Sequence, residues 1–487
     1  MMRADKIKRN GFVLTEIAAS VLLAACGGGT PIDNSAVPVP MADGVVASED
    51  ALGVESMRWG DLRPSKLGQD ELPGVLYDCF QEAVRWRLED ESSVVSFFSG
   101  GLDSRCVTAS LLAEGVRVHT INVAPERSLD LILGRTAAER LGTRHYEYSS
   151  GRPDGVNSRV VAGYRAWLSG IGAAEFDRPP TAVWTGNGGS VAVGHVYLDD
   201  PMVTLMRQGR RPEAVRAYLR KNRIELTPRA FRPGMRSTVK SCCFDGVLEQ
   251  VQRLDCHDEG RRLHLFLMLN DQRRHLTDHY EDIDLRRLEL INPFFDARFL
   301  RLVMAEPVRP FLAHRFYNSW LKTFPFALDS MPWQAYADHV PCPLPMPSGL
   351  RTQWEGGYYA EDAVKAALNE VLQRSRLALA SEHFPRTVLR APALRMAWWL
   401  TRAGMGDYSY LLNIATAWTE YASRAGSGAT KTKLEALSAH ARGRPRIRPT
   451  STSCKTRALL RGACPRRRTP ATFLPSATAL ATSPTSG

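Results

Sequence analysis

The sequence predicts an α/β fold, a parallel doubly wound sheet with a helical C-terminal extension. Short runs rich in β-branched and aromatic residues at 94–98, 116–123 and 144–149 have the character of strands. Between them, 105–114 and 130–141 carry apolar residues at helical spacing and are each followed by a glycine, which is typical of helices. Because strands that alternate with helices at this pitch form parallel sheets, the region predicts a doubly wound sheet.

Other segments extend this pattern on both sides. Apolar residues recur at helical spacing within 72–88, so a helix is expected to precede the first strand. Residues 183–190 predict a further strand that ends in a second glycine turn. Helices are also expected within 205–285 and 360–424, which are rich in Arg, Leu and Ala.

Changes in composition predict four regions along the chain. Residues 1–55 combine a leader-like segment with a Gly/Pro/Ala/Ser-rich linker. Residues 70–345 hold the α/β domain, and 346–425 form the helical extension. Residues 426–487 lack apolar periodicity and are rich in Arg, Pro, Ser and Thr, which predicts a disordered basic tail.

The net charge of +12 is concentrated in that tail. Twelve Lys and Arg residues lie between Gly426 and Gly487, against the single acid Glu435, so the remaining chain is close to neutral. A neutral body offers no basic face, and no specific nucleic-acid partner is expected. The nine cysteines show no metal-ligand or CxxC spacing, which predicts reduced thiols in the cytoplasm.

The N-terminus carries two leader-like features that leave the location open. Residues 8–16 resemble a prepilin leader, and Leu23–Cys26 resembles a bacterial lipobox. The apolar stretch 12–25 is short and contains polar residues, so no membrane span is predicted. We expect a cytoplasmic protein, in agreement with the reduced thiols predicted from the cysteine spacing.

The motif Ser99–Ser104, with the sequence SGGLDS, joins the first strand to the following helix. Adjacent glycines let backbone N–H groups turn inward, and the helix N-terminus adds positive potential, so the turn suits a phosphate group. Asp103 would repel a phosphate unless a cation lies between them. The motif therefore predicts binding of a Mg²⁺-nucleotide, and it lacks the spacing and the Lys of a Walker loop.

This motif resembles the pyrophosphate-binding SGGxDS loop of the N-type ATP pyrophosphatases. Two further motifs, TGNG at Thr185–Gly188 and PFFD at Pro293–Asp296, follow in the order found in the synthetase half of asparagine synthase and its relatives. Residues 130–145 resemble that family's segment after the second strand. The resemblance covers roughly residues 70–345 and implies an adenine nucleotide alpha-hydrolase-like fold.

The resemblance also implies roles for individual residues. Asp103 would bind Mg²⁺, and backbone groups near Val123 would meet the adenine. Asn187 falls where the family has a substrate-facing side chain, and Glu289 matches the Glu of its E-A-R-x-P-F segment; Glu289 would be catalytic. The remaining nucleotide-binding positions implied are Ser99, Gly100, Gly101, Leu102, Ser104, Gly186 and Gly188.

Two departures from the family pattern affect the chemistry. The family's second turn reads G-E-G-A-D-E, and Ser190 occupies the position of its metal-binding Asp. The family's transition-state Lys is also absent from the segment around 313–320, where His314 or Arg315 could supply a positive charge. Arg315 is expected to be catalytic, although Arg cannot donate a proton at neutral pH.

The resemblance implies an ATP-dependent, AMP-forming carbon–nitrogen ligase. Its substrates would be ATP, Mg²⁺, a small carboxylate and an amine, with aspartate to asparagine as the family's commonest case. Fewer than a hundred residues precede the ATP loop, so ammonia, a substrate amine or a separate glutaminase subunit is expected to supply the nitrogen. Two alternatives stay open: a degenerate nucleotide-binding homologue without catalysis, and another SGGxDS enzyme such as a tRNA-modifying pyrophosphatase.

Overall fold

The structure is a computed structural model, and it describes part of the chain. The described residues are 62–149, 156–172, 175–176, 178–222, 227–272, 288–353, 355 and 357–424, together with two strands at 43–47 and 54–58. The leader-like features at 8–26 and the tail predicted for 426–487 lie outside the described residues. The strands β1 (Asp43–Ala47) and β2 (Val54–Arg58) pair antiparallel, and β1 lies within the predicted linker.

A five-stranded parallel sheet forms the centre of the described chain, which confirms the predicted α/β class. Its strands are β3 (Ser93–Phe97), β4 (Arg117–Ala124), β5 (Arg144–Ser149), β6 (Ala182–Trp184) and β7 (Glu289–Ile291). Their order across the sheet is β5-β4-β3-β6-β7. The chain winds outward from β3 to β5 and then returns beside β3, so the switch point of the doubly wound sheet lies between β3 and β6.

Helices surround this sheet and extend the chain beyond it. In chain order they are α1 (Leu72–Leu88), α2 (Asp103–Ala113), α3 (Leu129–Leu141), α4 (Val156–Trp167), α5 (Gly189–Ala192), α6 (Asp200–Arg207), α7 (Arg211–Lys221), α8 (Arg236–Arg253), α9 (Glu259–Phe266), α10 (Ala297–Ala305), α11 (Arg315–Trp320), α12 (Glu361–Ala380), α13 (Ala391–Arg402) and α14 (Ser409–Arg424). Helix α3 shows why the sequence pattern worked. Ser128 Oγ accepts the Leu131 N–H at its start, and Gly142 ends it with a left-handed φ of 69°.

Both faces of the sheet are buried. Successive side chains of a strand point to opposite sides, so β3 contributes to two apolar clusters. On one side, Val94 of β3 joins the largest apolar cluster, which includes Phe80, Phe294 and Trp320. On the other side, Val95 packs with Trp167 and its neighbours. This two-sided burial fixes the sheet, so that the turns at its carboxyl edge rest on a rigid support.

The C-terminal helices α12 to α14 build their own apolar cluster together with residues of 230–239. Phe231 and Leu389 form an isolated antiparallel bridge that attaches this part to the segment before α8. The division predicted between 345 and 346 stays a prediction. Within the described ranges, no helix has both the length and the apolarity that a bilayer span requires.

Candidate active site at the carboxyl edge of the sheet

Two glycine turns meet at the switch point of the sheet. The first, Ser99–Ser104, follows β3, and the second, Thr185–Ser190, follows the neighbouring strand β6. A Cβ atom on Gly186 would lie 2.4 Å from the backbone N of Ser104, and one on Gly189 would lie 2.7 Å from Asp103 Oδ1. Only glycine permits this approach, so the second turn is built to contact the start of α2.

The contact between the turns is centred on the carboxyl group of Asp103. Its Oδ2 accepts the Ser190 N–H at 2.9 Å and the Ser190 hydroxyl at 2.7 Å, while Oδ1 accepts the Tyr317 hydroxyl at 2.8 Å. Burial raises the pKa of Asp103 to about 6, and these three donors oppose that shift. The group is therefore mainly ionised at neutral pH, at a substantial desolvation cost.

The first turn is held by side chains that bond its backbone. Gly100 N–H donates to Asp130 Oδ1 at 2.8 Å, and Ser99 N–H donates to Ser104 Oγ at 3.0 Å. The carbonyl of Gly100 accepts the Gln334 N–H at 2.9 Å. Among the described residues no side chain caps the start of α2, so its first N–H groups have no side-chain acceptor.

A cavity of about 120 Å³ opens between these groups. Its lining combines both turns with a segment at 331–340, here called the cover segment. The lining residues include Ser99, Gly101, Leu102, Asp103, Asp130, Ser190, His314, Trp333, Gln334, Tyr336 and His339. Of the predicted site residues, the structure thus brings together Ser99, Gly101, Leu102 and Asp103 around one cavity.

His314 lies in the cavity wall and is electrically neutral. Its Nε2 lies 3.3 Å from Ser190 Oγ, and its Nδ1 lies 2.7 Å from Nδ1 of His339. Burial, with His339 as a further cause, lowers the pKa of His314 to about 3. The imidazole can accept or donate a hydrogen bond, but it does not supply the positive charge that the sequence comparison assigned to this region.

Arg315 and Glu289 lie away from this cavity. The Arg315 guanidinium is about half exposed and pairs with Asp200 at 3.3 Å. Glu289 is the first residue of β7 and is exposed, so it belongs to the opposite, amino edge of the sheet. Neither side chain therefore lines the cavity around Asp103, and the catalytic roles that the resemblance implies for them stay predictions.

The other predicted residues lie near the site without lining the cavity. Val123 is the penultimate residue of β4, and its side chain packs closely against Gly163 of α4. Asn187 bonds through its N–H to Thr185 Oγ1 at 3.3 Å. Gly188 has a φ of 83° and faces the ring of Phe295, where any Cβ would clash.

The PFFD motif has a structural function in this chain. Asp296 caps α10 by accepting the N–H groups of Arg298 and Phe299, and it pairs with Arg87 at 2.9 Å. Phe294 and Phe295 press against the second glycine turn. The motif therefore packs against the second glycine turn and holds it in position.

Sequence reasoning missed several groups of the site. Tyr317 reaches Asp103 across 214 residues of chain, and the cover segment has no regular secondary structure. Asp130 lies in the segment 130–145 that resembles the family, but the sequence does not predict its bond to Gly100. The aromatic residues within 333–336 are the one sequence feature that could have indicated the cover segment. Such residues are too common in protein cores to identify the wall of a cavity.

A parallel sheet with two glycine turns that converge at its switch point is the architecture of α/β proteins of the nucleotide-binding type. Residues 76–174 match the family model described as Asparagine synthase. The resemblance to that family is therefore confirmed for a segment that contains the first turn, Asp103 and Asp130. The second turn and the cover segment lie outside the matched residues.

Curated relatives support the same assignment over a similar length. Asparagine synthetase 2 (glutamine-hydrolyzing) of Arabidopsis thaliana is 35% identical over 96 residues, which cover 18% of this chain and 17% of that protein. The human asparagine synthetase is 32% identical over 85 residues, or 16% and 15% of the two chains. That of Asparagus officinalis is 36% identical over 96 residues, or 18% and 16%. The matches span about a sixth of the length of these relatives.

Proposed function

We propose that this chain is an asparagine-synthase-like ligase that uses ATP to join a carboxylate and an amine, forming AMP and pyrophosphate. One observation carries the proposal: the two glycine turns converge on Asp103 at the switch point of the sheet. Ligands of doubly wound sheets bind at this position, outside the carboxyl ends of the strands. The matching family model supports a ligase of this general kind.

The pyrophosphate of ATP would lie against the first turn. The donors there would be the backbone N–H groups of Gly101 and Leu102, which line the cavity, and the hydroxyls of Ser99 and Ser104. The Gly101 N–H now donates to Ser99 Oγ at 3.2 Å, and the two hydroxyls lie 3.2 Å apart, so a phosphate oxygen would replace these contacts. Gly100, Gly186 and Gly188 would act by permitting close backbone approach. The adenine would lie toward the end of β4 near Val123, where backbone groups at the strand terminus are available.

The residues present fit a hard divalent cation such as Mg²⁺. Two carboxyl groups, Asp103 and Asp130, line the cavity, and its described lining contains no Lys or Arg. Asp103 Oδ1 accepts a single hydrogen bond and keeps a lone pair. Asp103 would hold Mg²⁺, which commonly takes one or two carboxylates along with phosphate oxygens and waters. When bound, the ion would offset the charge of the departing pyrophosphate.

The reaction would proceed in two displacements. An oxygen of the substrate carboxylate attacks the α-phosphorus of ATP, and the bond to pyrophosphate breaks. An amine then attacks the acyl carbon of the adenylate, AMP leaves, and the amine loses a proton. The chain contributes mainly by orienting the phosphates and by donating hydrogen bonds to them. Aspartate, ammonia and a separate glutaminase subunit are candidate partners, and ATP supply places the reaction in the cytoplasm.

ATP–pyrophosphate exchange tests this function directly. Purified full chain is incubated with ATP, Mg²⁺, labelled pyrophosphate and a panel of carboxylic acids that includes aspartate. Label appearing in ATP only in the presence of a particular acid would support adenylation of that acid. ATP binding without exchange for any acid would instead favour a non-catalytic nucleotide-binding homologue. That alternative has a specific basis in the sequence, because Ser190 replaces a carboxylate of the family.

Ser190→Asp is expected to make the apoprotein less stable and more responsive to Mg²⁺. The Ser190 hydroxyl lies 2.7 Å from Asp103 Oδ2, so a carboxylate introduced at 190 places two negative charges in contact. Mg²⁺ would relieve that repulsion, because two carboxylates then share one cation. We expect a lower melting temperature without metal, a larger increase on addition of Mg²⁺ than in the wild type, and faster exchange.

Ser190→Asn is the matched control, since it is similar in size and carries no charge. It should show no added response to Mg²⁺. If Mg²⁺ stabilises the Asp and Asn variants equally, position 190 does not share a metal with Asp103.

A further inference from the structure

Arg105 is a fully buried arginine whose bonds all go to backbone carbonyls. It lies in the first turn of α2 with none of its surface exposed. Nε donates to the carbonyl of Gly101 at 2.8 Å, and Nη2 donates to that of Gly100 at 3.2 Å. The guanidinium also donates to the carbonyls of Met331 and Pro332, each at 3.2 Å. One side chain thus joins the first glycine turn to the cover segment.

The charge of Arg105 is not neutralised by an ion pair. Among the described residues, no carboxylate lies within salt-bridge distance of its guanidinium. An arginine guanidinium keeps its proton at neutral pH, so the buried group is a cation. Burying a charge without an ion pair costs folding free energy. A nearby site that binds an anion would explain why the chain retains this charge.

Peptide geometry transmits the position of Arg105 to the cavity. In a planar trans peptide the C=O and N–H bonds point in opposite directions. The carbonyl of Gly100 shares its peptide with the N–H of Gly101, and the carbonyl of Gly101 shares its peptide with the N–H of Leu102. Because Arg105 holds both carbonyls, both N–H groups point away from its guanidinium, toward the side where Gly101 and Leu102 line the cavity. The Gly101 N–H donates there to Ser99 Oγ at 3.2 Å, and Ser99 also lines the cavity.

Hydrogen bonding to a cation also polarises these peptides. When the carbonyl of a peptide group accepts a hydrogen bond from a charged donor, the N–H of the same peptide group becomes a stronger donor. Hydrogen bonds linked in this way reinforce one another. The other cationic candidates of this region do not compete for the role. His314 is neutral, and Arg315 pairs with Asp200 outside the cavity.

We propose that Arg105 is the positioning residue for the pyrophosphate group, which it serves through the Gly101 and Leu102 amides rather than by contact. The inference rests on the proposed function for the identity of the anion. It assigns to Arg105 the positive potential that the family's absent Lys would otherwise be expected to provide. The ligand class is a pyrophosphate or a nucleoside polyphosphate carrying Mg²⁺.

Arg105→Lys tests this proposal, because it keeps the charge but cannot hold both carbonyls with a planar fork. Dissociation constants are measured by calorimetry for Mg²⁺-ATP, Mg²⁺-pyrophosphate and adenosine. We expect the first two to weaken on the order of tenfold, as for loss of a charge-assisted hydrogen bond, while adenosine binding changes less than about twofold. Equal weakening of all three ligands, or no weakening, would overturn the proposal.

Arg261→Lys is the matched control. Arg261 is also fully buried, and its guanidinium donates to the carbonyl of Glu306 and contacts His195 and His264, not the first turn or the cover segment. Its replacement should lower the melting temperature but keep the ratio of ATP to adenosine affinity. A comparable change of that ratio would show a general effect of altered buried arginines and overturn the assignment to Arg105.

Hydrogen exchange of the unmodified chain keeps the proposal testable if the Lys variant does not fold. Mg²⁺-pyrophosphate should slow exchange in the peptide that contains the Gly101 and Leu102 amides, and adenosine should not. Absence of that protection, in a chain that binds pyrophosphate, would overturn the inference while leaving the proposed function intact. A wild type that binds neither ATP nor pyrophosphate would overturn both.

Discussion

Asp103→Asn is expected to abolish ATP–pyrophosphate exchange while making the protein more stable at neutral pH. The amide can keep the present contacts: its oxygen can accept both Ser190 donors, and its NH₂ can donate to the Tyr317 hydroxyl. What disappears is the negative charge that would hold Mg²⁺. Metal stabilisation of a departing phosphate is worth several kcal/mol, so exchange should fall by about a thousandfold or more.

The gain in stability follows from the raised pKa of Asp103. Its pKa of about 6 in the folded chain lies above the value of 3.8 for an unperturbed group, so the folded state holds this proton more tightly than the unfolded state does. Its contribution to stability is complete below pH 4 and is lost as the pH rises through 6. The variant avoids that loss, and its advantage in the free energy of unfolding should reach on the order of 3 kcal/mol above pH 6.

Thermal unfolding of wild type and variant between pH 4 and 8 measures this difference. Asp90→Asn, which removes one exposed negative charge after α1, is the control and should show little pH-dependent difference. A variant that keeps full exchange activity would contradict the role of Asp103. A variant without added stability at neutral pH would show that burial of this carboxylate is compensated elsewhere.

Gly186→Ala should separate the two glycine turns and remove nucleotide binding. Its Cβ would lie 2.4 Å from Ser104 N and 2.6 Å from the carbonyl carbon of Asp103, and both are backbone atoms that cannot rotate away. Overpacking of this kind typically costs about 1–3 kcal/mol of stability. The enforced shift would also move Ser190 away from Asp103, so we expect both a lower melting temperature and loss of measurable ATP binding.

Gly74→Ala gives the opposite result and is the matched control. Gly74 lies in α1 with no atom within 4 Å of the added Cβ, and alanine is the better helix former there by roughly 0.5–1 kcal/mol. Its melting temperature should rise slightly and its ATP affinity should stay unchanged. Normal ATP binding by a folded Gly186→Ala variant would show that contact between the turns is not needed.

Local patterns predicted the fold well, because each strand and helix around the first turn carries its own periodicity and stop signals. The bounds of α1 and β5 match the predicted ones, whereas β6 is only three residues long and ends at Trp184. It ends early because the chain must bend there to bring Gly186 against Ser104. Such a requirement comes from a neighbouring strand, and periodicity within the segment does not reveal it.

The candidate site was predictable only where its residues are contiguous. Ser99–Ser104 forms a compact motif, and the structure places it at the switch point. The partners of Asp103 and Arg105 come from 190, 317 and 331–332, and no local pattern links those positions to the motif. The resemblance offered His314 or Arg315 in place of the family's Lys, but a left-handed φ of 61° at His314 turns the chain as α11 begins, and Arg315 pairs with Asp200.

The attachment of the cover segment has a consequence for synthesis of the chain on the ribosome. The carbonyl of Gly100 receives the Gln334 N–H, and Arg105 needs the carbonyls of Met331 and Pro332, more than two hundred residues later. Strands β3 to β5 can therefore assemble early, while the first turn lacks part of its bonding until the cover segment has left the exit tunnel. A nascent chain stalled before residue 331 would already contain the matched segment 76–174, yet its anion cradle would be incomplete.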